Sequence, residues 1–332
     1  MKKIMNEPDT LIADELQGFA KIYPRQVKLA DSVTAVVRAV PKSAGKVKLV
    51  MGNGGGHEPA VIGWVGEGMF DCDVVGDLFS APSGEKMFQA IEEIDDKSPV
   101  LLCIQNHAGD VINGNIAWKK AVKHGIDIRK VLFYDDIASA PREENEERRG
   151  IAGMLFYAKI VGAMAEAGAS IEECIEMFER VRDNTRTYAA AYSSCTHPGT
   201  GLKMFEYLEN NDLMEMGMGV HGEGGGDNRI PMPKAGRLAE LMADALIQDK
   251  PYRPGESLLI LVNGTGAATA MELNILYKKS FRSKGFEIAG CRVGNFLTTQ
   301  ELAGVSVSIC SVDDTMKELW ERPCDCPLWV QK

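Results

Sequence analysis

The chain has 332 residues, 45% hydrophobic and 25% charged, which suits a globular protein of one large or two medium domains and excludes a disordered one. Its 47 acidic residues against 37 basic ones leave a net charge of −10, which argues against nucleic acid or an anionic membrane surface as the main partner, because both require a basic face. No apolar run approaches the roughly 18 residues of a membrane span. The polar start Met1–Thr10 lacks the apolar stretch of a signal peptide, and the eight cysteines are scattered singly apart from Cys324 and Cys326. Free thiols in a reducing compartment fit this usage, so the expectation is a cytoplasmic protein.

In chain order, the first short apolar run, Val47–Met51, ends in the glycine-rich stretch Gly52–Pro59. An amphipathic helix is expected over Ser83–Ile94, then a strand over Val100–Ile104, a helix over Asn115–His124 and a strand over Val131–Phe133. Arg142–Arg149 reads as a helix start or a solvated loop. Helices follow at Gly150–Ala167 and Ser170–Asn184, the second opened by Ser170 with Glu173 three residues on, a capping box. Further helices are expected at Gly236–Ile247 and, after the turn Asn263–Gly266, at Thr269–Lys279. Strands are expected at Leu258–Val262 and Val305–Val312. Short apolar runs bounded by turn residues suit strands buried on both faces, and their alternation with helices predicts an α/β fold with ligand loops at the carboxyl ends of strands. The reading is two α/β domains with largely parallel or mixed sheets: an N-terminal domain over 1–185 carrying the glycine loop, and a C-terminal domain over 186–332.

Three constellations carry chemistry. The first is Gly52-Asn53-Gly54-Gly55-Gly56-His57-Glu58-Pro59. Such a run permits positive φ and close approach of a ligand to main-chain amides, so it serves either as a tight strand–helix turn or as a phosphate or polyol site. It has neither the Lys-Ser/Thr ending of a P-loop nor the dinucleotide fingerprint; His57 at its end tips the reading towards a site. The second is Gln105-Asn106-His107-Ala108-Gly109-Asp110, polar groups at the end of a strand. Asp110 there is either a helix cap or a site residue, and His107 reads as a packed histidine. The third is Gly217–Gly226, where His221 sits among glycines and Glu223 either orients it or is solvated. None of the five histidines has the spacing of a zinc helix, so no metal is expected.

These loops resemble the ketose-binding domain of the dihydroxyacetone kinase family. The resemblance runs along almost the whole chain: Met1–Ile4 followed by a helix, Gly56–Pro59, Gly66–Met69, Gly76–Phe79, Asn106 with Gly109-Asp110, Arg148–Gly150, Gly217–Glu223, Leu261–Gly264 and Glu272-Leu273. It implies that His221 traps the substrate carbonyl as a hemiaminal, a bond that only a carbonyl compound can form. It also implies that Asp110 is the base towards the hydroxyl to be phosphorylated, that His57 contacts substrate and assists proton transfer, and that Gly54, Gly55 and Gly56 offer backbone contacts to hydroxyls. The substrate class is a short ketose, dihydroxyacetone or a related tetrulose. No cofactor is expected on this chain. ATP or ADP with Mg is expected on a separate nucleotide-binding helical subunit, because the chain ends just after the ketose domain; a homodimer is expected from the family.

Departures cluster in the same loops. The family's lysine in Lys-Asn-Tyr-x-Gly-Asp is Gln105, its aromatic is His107, and the Pro of His-Gly-Glu-Pro-Gly is Gly224. Glutamine can still hold a hydroxyl, so Gln105 counts as substrate-binding, yet it offers no positive charge to incoming phosphate. The alternative is a non-catalytic ketose sensor or coactivator, as in paralogues of this family. Retention of Asp110 favours catalysis, since a sensor needs the trapping histidine and no base.

Overall fold

The computed structural model describes residues 3–205, 208, 212–224, 228–253, 255–278 and 285–332. In chain order the elements are α1 (Leu11–Ile22), β1 (Val27–Leu29), β2 (Ala35–Arg38), β3 (Lys48–Gly55), β4 (Cys72–Leu78), α2 (Gly84–Glu93), β5 (Val100–Gln105), α3 (Ala108–Lys123), β6 (Ile128–Phe133), α4 (Met154–Glu166), α5 (Ile171–Asn184) and β7 (Thr185–Ser193). Then come β8 (Leu213–Met216), β9 (Arg229–Pro231), α6 (Ala235–Asp249), β10 (Ser257–Gly264), α7 (Ala270–Lys278), β11 (Glu287–Gly294), β12 (Ala303–Val312), α8 (Asp314–Glu321), β13 (Cys324–Cys326) and β14 (Trp329–Gln331). Each expected strand and helix forms; Lys279, Gly225 and Gly226 lie outside the described residues. The capping box is made, with Ser170 Oγ accepting from Glu173 N at 3.2 Å and Glu173 Oε2 accepting from Ser170 N at 2.8 Å.

Two compact units result, and they interleave rather than divide once near residue 185. One comprises Lys3–Phe133, Tyr157–Arg180 and Glu318–Lys332; the other comprises Tyr134–Phe156 and Val181–Lys317. What a linear reading detects is the start of the second sheet at β7; it has no signal for a segment that rejoins an earlier unit.

The first unit holds a six-stranded sheet in the order β1-β2-β4-β3-β5-β6. Its four strands β4, β3, β5 and β6 run parallel, and β2 and β1 join antiparallel. Val50, Leu102 and Val74 pack under Met87, Phe88 and Ile91 of α2, the apolar stripe that the sequence period placed there. The opposite ends of these strands are tied by charge. Asp71 accepts from Leu49 N and Lys42 Nζ, both at 2.8 Å, and from Arg38 Nη1 at 3.1 Å; Lys42 also reaches Val47 O at 2.8 Å.

The second unit holds the order β11-β10-β12-β7-β8-β9, and only the β10–β11 pairing in it is parallel. Val305–Val312, read as a strand of a largely parallel sheet, is antiparallel to both neighbours. Continuous apolarity reports burial on two faces, and it carries no information on direction. Leu258, Ile260, Val262, Val307 and Ile309 pack with Leu238, Met242 and Leu246 of α6 and Leu273 and Leu276 of α7.

The Lys42 side chain is fully buried against Asp71, and removing one partner of a buried ion pair leaves an uncompensated charge. Lys42→Met is therefore expected to cost about 3 kcal/mol in denaturant unfolding of the intact chain. A loss below about 1 kcal/mol would show that Arg38 and the Leu49 amide suffice for Asp71.

Candidate functional site

Parallel pairing of β3 with β4 and β5 brings three carboxyl-terminal segments to one end of the first sheet. There β3 runs on into Gly56 and His57, β4 into Phe79 and Ser80, and β5 into Asn106 and His107. The strand β3 extends through Gly55, four residues past its apolar run, so half of the expected glycine loop is strand. The glycines answer to packing there. A Cβ on Gly54 would come within 2.8 Å of Ser80 N, and one on Gly55 would overlap Ile12 of α1. Gly56 has φ +91°, which only glycine adopts at low cost, and a Cβ on it would press on the Phe79 ring. Phe79 N donates to Gly55 O at 2.8 Å, which closes this cradle.

His57, the next residue, is buried with its ring 5.5 Å from that of Phe79. Gln105 is the buried last residue of β5, and Asp110 lies half-buried in the first turn of α3. His107 is the N-cap residue of α3, so the helix starts one residue later and Asp110 is inside it instead of capping it. Glu58 and Glu15 lie at this end and interact with Asp73, near the start of β4; the sequence reading gave none of these three acids a role. Glu58 accepts from Gly56 N at 2.7 Å. Burial pushes Glu58 above its ordinary range, and burial followed by the Glu58 charge and a hydrogen bond with Glu58 pushes Glu15 of α1 up to about 9. Asp73, in β4, is wholly buried, and neither of its carboxylate oxygens has a hydrogen-bond partner among the described residues, the nearby Val61 amide offsetting only part of the cost of burial. Burial pushes Asp73 far above the usual carboxylate range, and the charges of Glu58 and Asp110 add to it. The one signal was a charge interrupting the run Cys72-Asp73-Val74-Val75.

His221 belongs to the second unit, on a turn after β8. Glu223 folds back on it: Oε2 accepts from His221 N at 2.8 Å and Oε1 lies 3.1 Å from Nδ1. Burial alone would raise Glu223, but the His221 hydrogen bond, the His221 charge and the Arg149 charge outweigh it and bring Glu223 down to about 2. An ionised carboxylate only accepts, so Nδ1 carries the proton and the lone pair of a neutral ring resides on Nε2. Of the two sequence readings of Glu223, orientation is the one the geometry supports.

The first unit thus has a glycine-cradled strand end, and the second has an imidazole whose tautomer is set by a carboxylate. Residues 17–328 match the Dak1 domain, and the chain belongs to that family. It is 34% identical over 333 residues to the PTS-dependent dihydroxyacetone kinase 1, dihydroxyacetone-binding subunit DhaK, of Listeria innocua, covering 99% of this chain and 100% of that one. It is also 34% identical to an L-erythrulose 1-kinase of Mycolicibacterium smegmatis, but there it spans only 58% of the relative's length. Among solved structures, the dihydroxyacetone kinase operon co-activator Dha-DhaQ superposes with TM-score 0.90 at 28% identity, covering 98% of this chain and 99% of that one. The dihydroxyacetone kinase of C. freundii in complex with AMP-PNP and Mg2+ superposes with TM-score 0.89 at 25% identity, covering 99% of this chain and 61% of the other.

The raised acids make a stability prediction. Glu15 and Glu58 have an ordinary value of 4.5 and hold their protons to higher pH when folded. Below 4.5 both states are protonated and burial is uncharged. As pH rises from there towards about 9, the unfolded chain releases protons that the folded one retains, so stability falls. Asp73 contributes with the same sign. Chemical denaturation between pH 5 and 9 should show this decline, shallower in Asp73→Asn and in Glu15→Gln. An unchanged slope in both variants would contradict the assignment.

Proposed function

We propose that this chain is the ketose-binding part of a dihydroxyacetone-kinase-like phosphotransferase. The observation that carries the reading is the Glu223–His221 pair, which presents an imidazole with its lone pair on Nε2. That nitrogen attacks the ketone carbon. The N–C bond forms as the π pair moves to oxygen, which takes a proton from solvent, while the Nδ1 proton leaves along Glu223 to solvent, so that the ring ends neutral and Glu223 ionised. The product is a neutral hemiaminal, and a polyol without a carbonyl cannot form it. Asp110 then accepts the proton of the ketose hydroxyl as its oxygen bonds to the incoming phosphorus and the P–O bond to the nucleoside diphosphate breaks. His57, buried beside Phe79, contacts the substrate and assists proton transfer, and Gly54, Gly55 and Gly56 offer backbone contacts to its hydroxyls. The phosphoryl donor, a nucleotide with magnesium, is assigned to a partner subunit. The relatives' names support a three- or four-carbon ketose, dihydroxyacetone or an erythrulose.

A homodimer in the cytoplasm is part of this proposal. All eight cysteines are free thiols, which suits a reducing compartment, and no helix among the described residues is long and apolar enough to cross a membrane. A second reading, a sensor that traps the ketose without turning it over, has one residue in its favour. Gln105 puts a neutral amide where the family has a lysine, and a neutral group offsets no phosphate charge.

Two variants, assayed with the partner subunit, test the proposal. His221→Ala should abolish ketose binding with the fold intact by circular dichroism. Asp110→Asn should keep binding and lower phosphoryl transfer by about two orders of magnitude, the usual range for loss of a general base. Unchanged ketose affinity in the first variant overturns the assignment of His221. Ketose trapping by the wild type with no turnover of any three- or four-carbon ketose favours the sensor.

A further inference from the structure

The segment Gly217–Glu223 that carries His221 has glycine at 217, 219 and 222, yet a trapping imidazole has to meet a carbonyl at a defined angle. We propose that Arg149, held by Asp136, is the positioning residue that sets the His221–Glu223 pair, which the chain would use to trap carbonyl ligands. This inference rests on the reading of His221 as the trapping residue.

The main chain of Arg149 is fixed first. Its N donates to Ser139 Oγ at 2.9 Å, and its O accepts from Asp135 N and Asp136 N at 3.0 and 3.1 Å. From that anchor the guanidinium places two nitrogens on one oxygen of the fully buried Asp136, Nε at 2.9 Å and Nη2 at 2.7 Å from Oδ2. Its remaining reach goes to the trapping turn. Nη2 donates to Gly217 O at 3.2 Å, Nη1 to Glu223 O at 3.5 Å, and Nη1 stands 3.8 Å from Glu223 Oε2. One planar fork thus spans both ends of the segment Gly217–Glu223 and adds positive charge beside the carboxylate that orients His221. The turn closes on itself through Gly219 N to Glu223 O at 2.8 Å. Thr299 Oγ1 donates to Val220 O, which ties down its apex.

Gly219 supplies an independent sign that the turn is shaped around this arginine. A Cβ at position 219 would overlap both Arg149 Nη1 and Glu223 Oε2. Lysine cannot replace the fork, because an ammonium is a single point charge and cannot serve Asp136 and two carbonyls in one plane. The ion pair to Glu223 is part-exposed and longer than a hydrogen bond, so its direct Coulomb contribution is modest. The weight of the device lies in geometry: it holds the turn, and the turn holds the ring.

The test exploits the fact that only a carbonyl ligand needs the ring correctly aimed. Affinities for dihydroxyacetone and for glycerol, the same skeleton without the carbonyl, are measured by calorimetry or competition on the intact chain for wild type, Arg149→Met, Arg149→Lys and Gly219→Ala. Arg149→Met should weaken dihydroxyacetone by at least about tenfold while glycerol stays within about twofold, since charge-assisted hydrogen bonds are lost from the trap alone. Arg149→Lys should recover part of the loss, and Gly219→Ala should behave like Arg149→Met without altering any charge. Equal weakening of both ligands would mark a merely structural arginine, and unchanged dihydroxyacetone affinity in Arg149→Met would overturn the proposal outright. If Arg149→Met fails to fold, Gly219→Ala and Arg149→Lys decide by the same ratio. A wild-type chain that binds dihydroxyacetone without a bond to His221 defeats the trapping reading itself, whereas an adduct of equal stability in wild type and variants defeats only the role of Arg149.

Discussion

The proposed chemistry of this chain depends on one carboxylate contacting one histidine twice. Glu223 takes the main-chain N–H of His221 on one oxygen and faces its Nδ1 with the other. The first contact fixes the backbone of a turn that glycine would otherwise leave loose, and the second fixes the tautomer. Without the second, a neutral imidazole would divide its proton between two nitrogens, and part of the population would present N–H to a carbonyl instead of a lone pair. The ionised state of Glu223, brought down to about 2 chiefly against the cost of burial, means the arrangement holds across the whole neutral range.

The first unit solves a different problem. Its glycine stretch is packed closely on all sides: Gly54 against the Ser80 backbone, Gly55 against the Ile12 side chain and Gly56 against the Phe79 ring. Crowding of that kind shuts polar groups away from water. Asp73 is the extreme case, a carboxyl group buried in a strand without a hydrogen bond. Burying a charge without a partner is costly, and the group keeps its proton instead. Natural chains concentrate such locally unfavourable choices near functional sites, and here the expense falls beside Glu58, inside the Gly-His-Glu-Pro motif.

Much of this was legible in the sequence because it is local. The apolar runs marked β3, β5, β6, β10 and β12, the 3.6-residue stripes marked α2 and α6, and Ser170 with Glu173 marked the start of α5. Gly56-His57-Glu58-Pro59 and Gly219-Val220-His221-Gly222-Glu223 pointed to the family. What escaped is non-local. Nothing near Arg149 says that its partner turn is some 70 residues on, as the Gly217 contact shows. Glu15 and Glu58 meet only because α1 lies over the end of β3. The short strands β1 and β8 and the edge strand β9 carry no apolar run long enough to detect. The interleaving of the two units is a property of contacts between distant segments, which no window on the sequence contains.

The central claim is a covalent bond between His221 and a ketose carbonyl, and carbon-13 NMR of dihydroxyacetone labelled at its carbonyl carbon, added to chain labelled with nitrogen-15 histidine, observes that bond itself. The account predicts that the protein-bound signal moves from the carbonyl to the tetrahedral region, couples to an imidazole nitrogen, and vanishes in His221→Ala. A bound ketose that keeps its carbonyl signal, or an adduct that persists without His221, would contradict it.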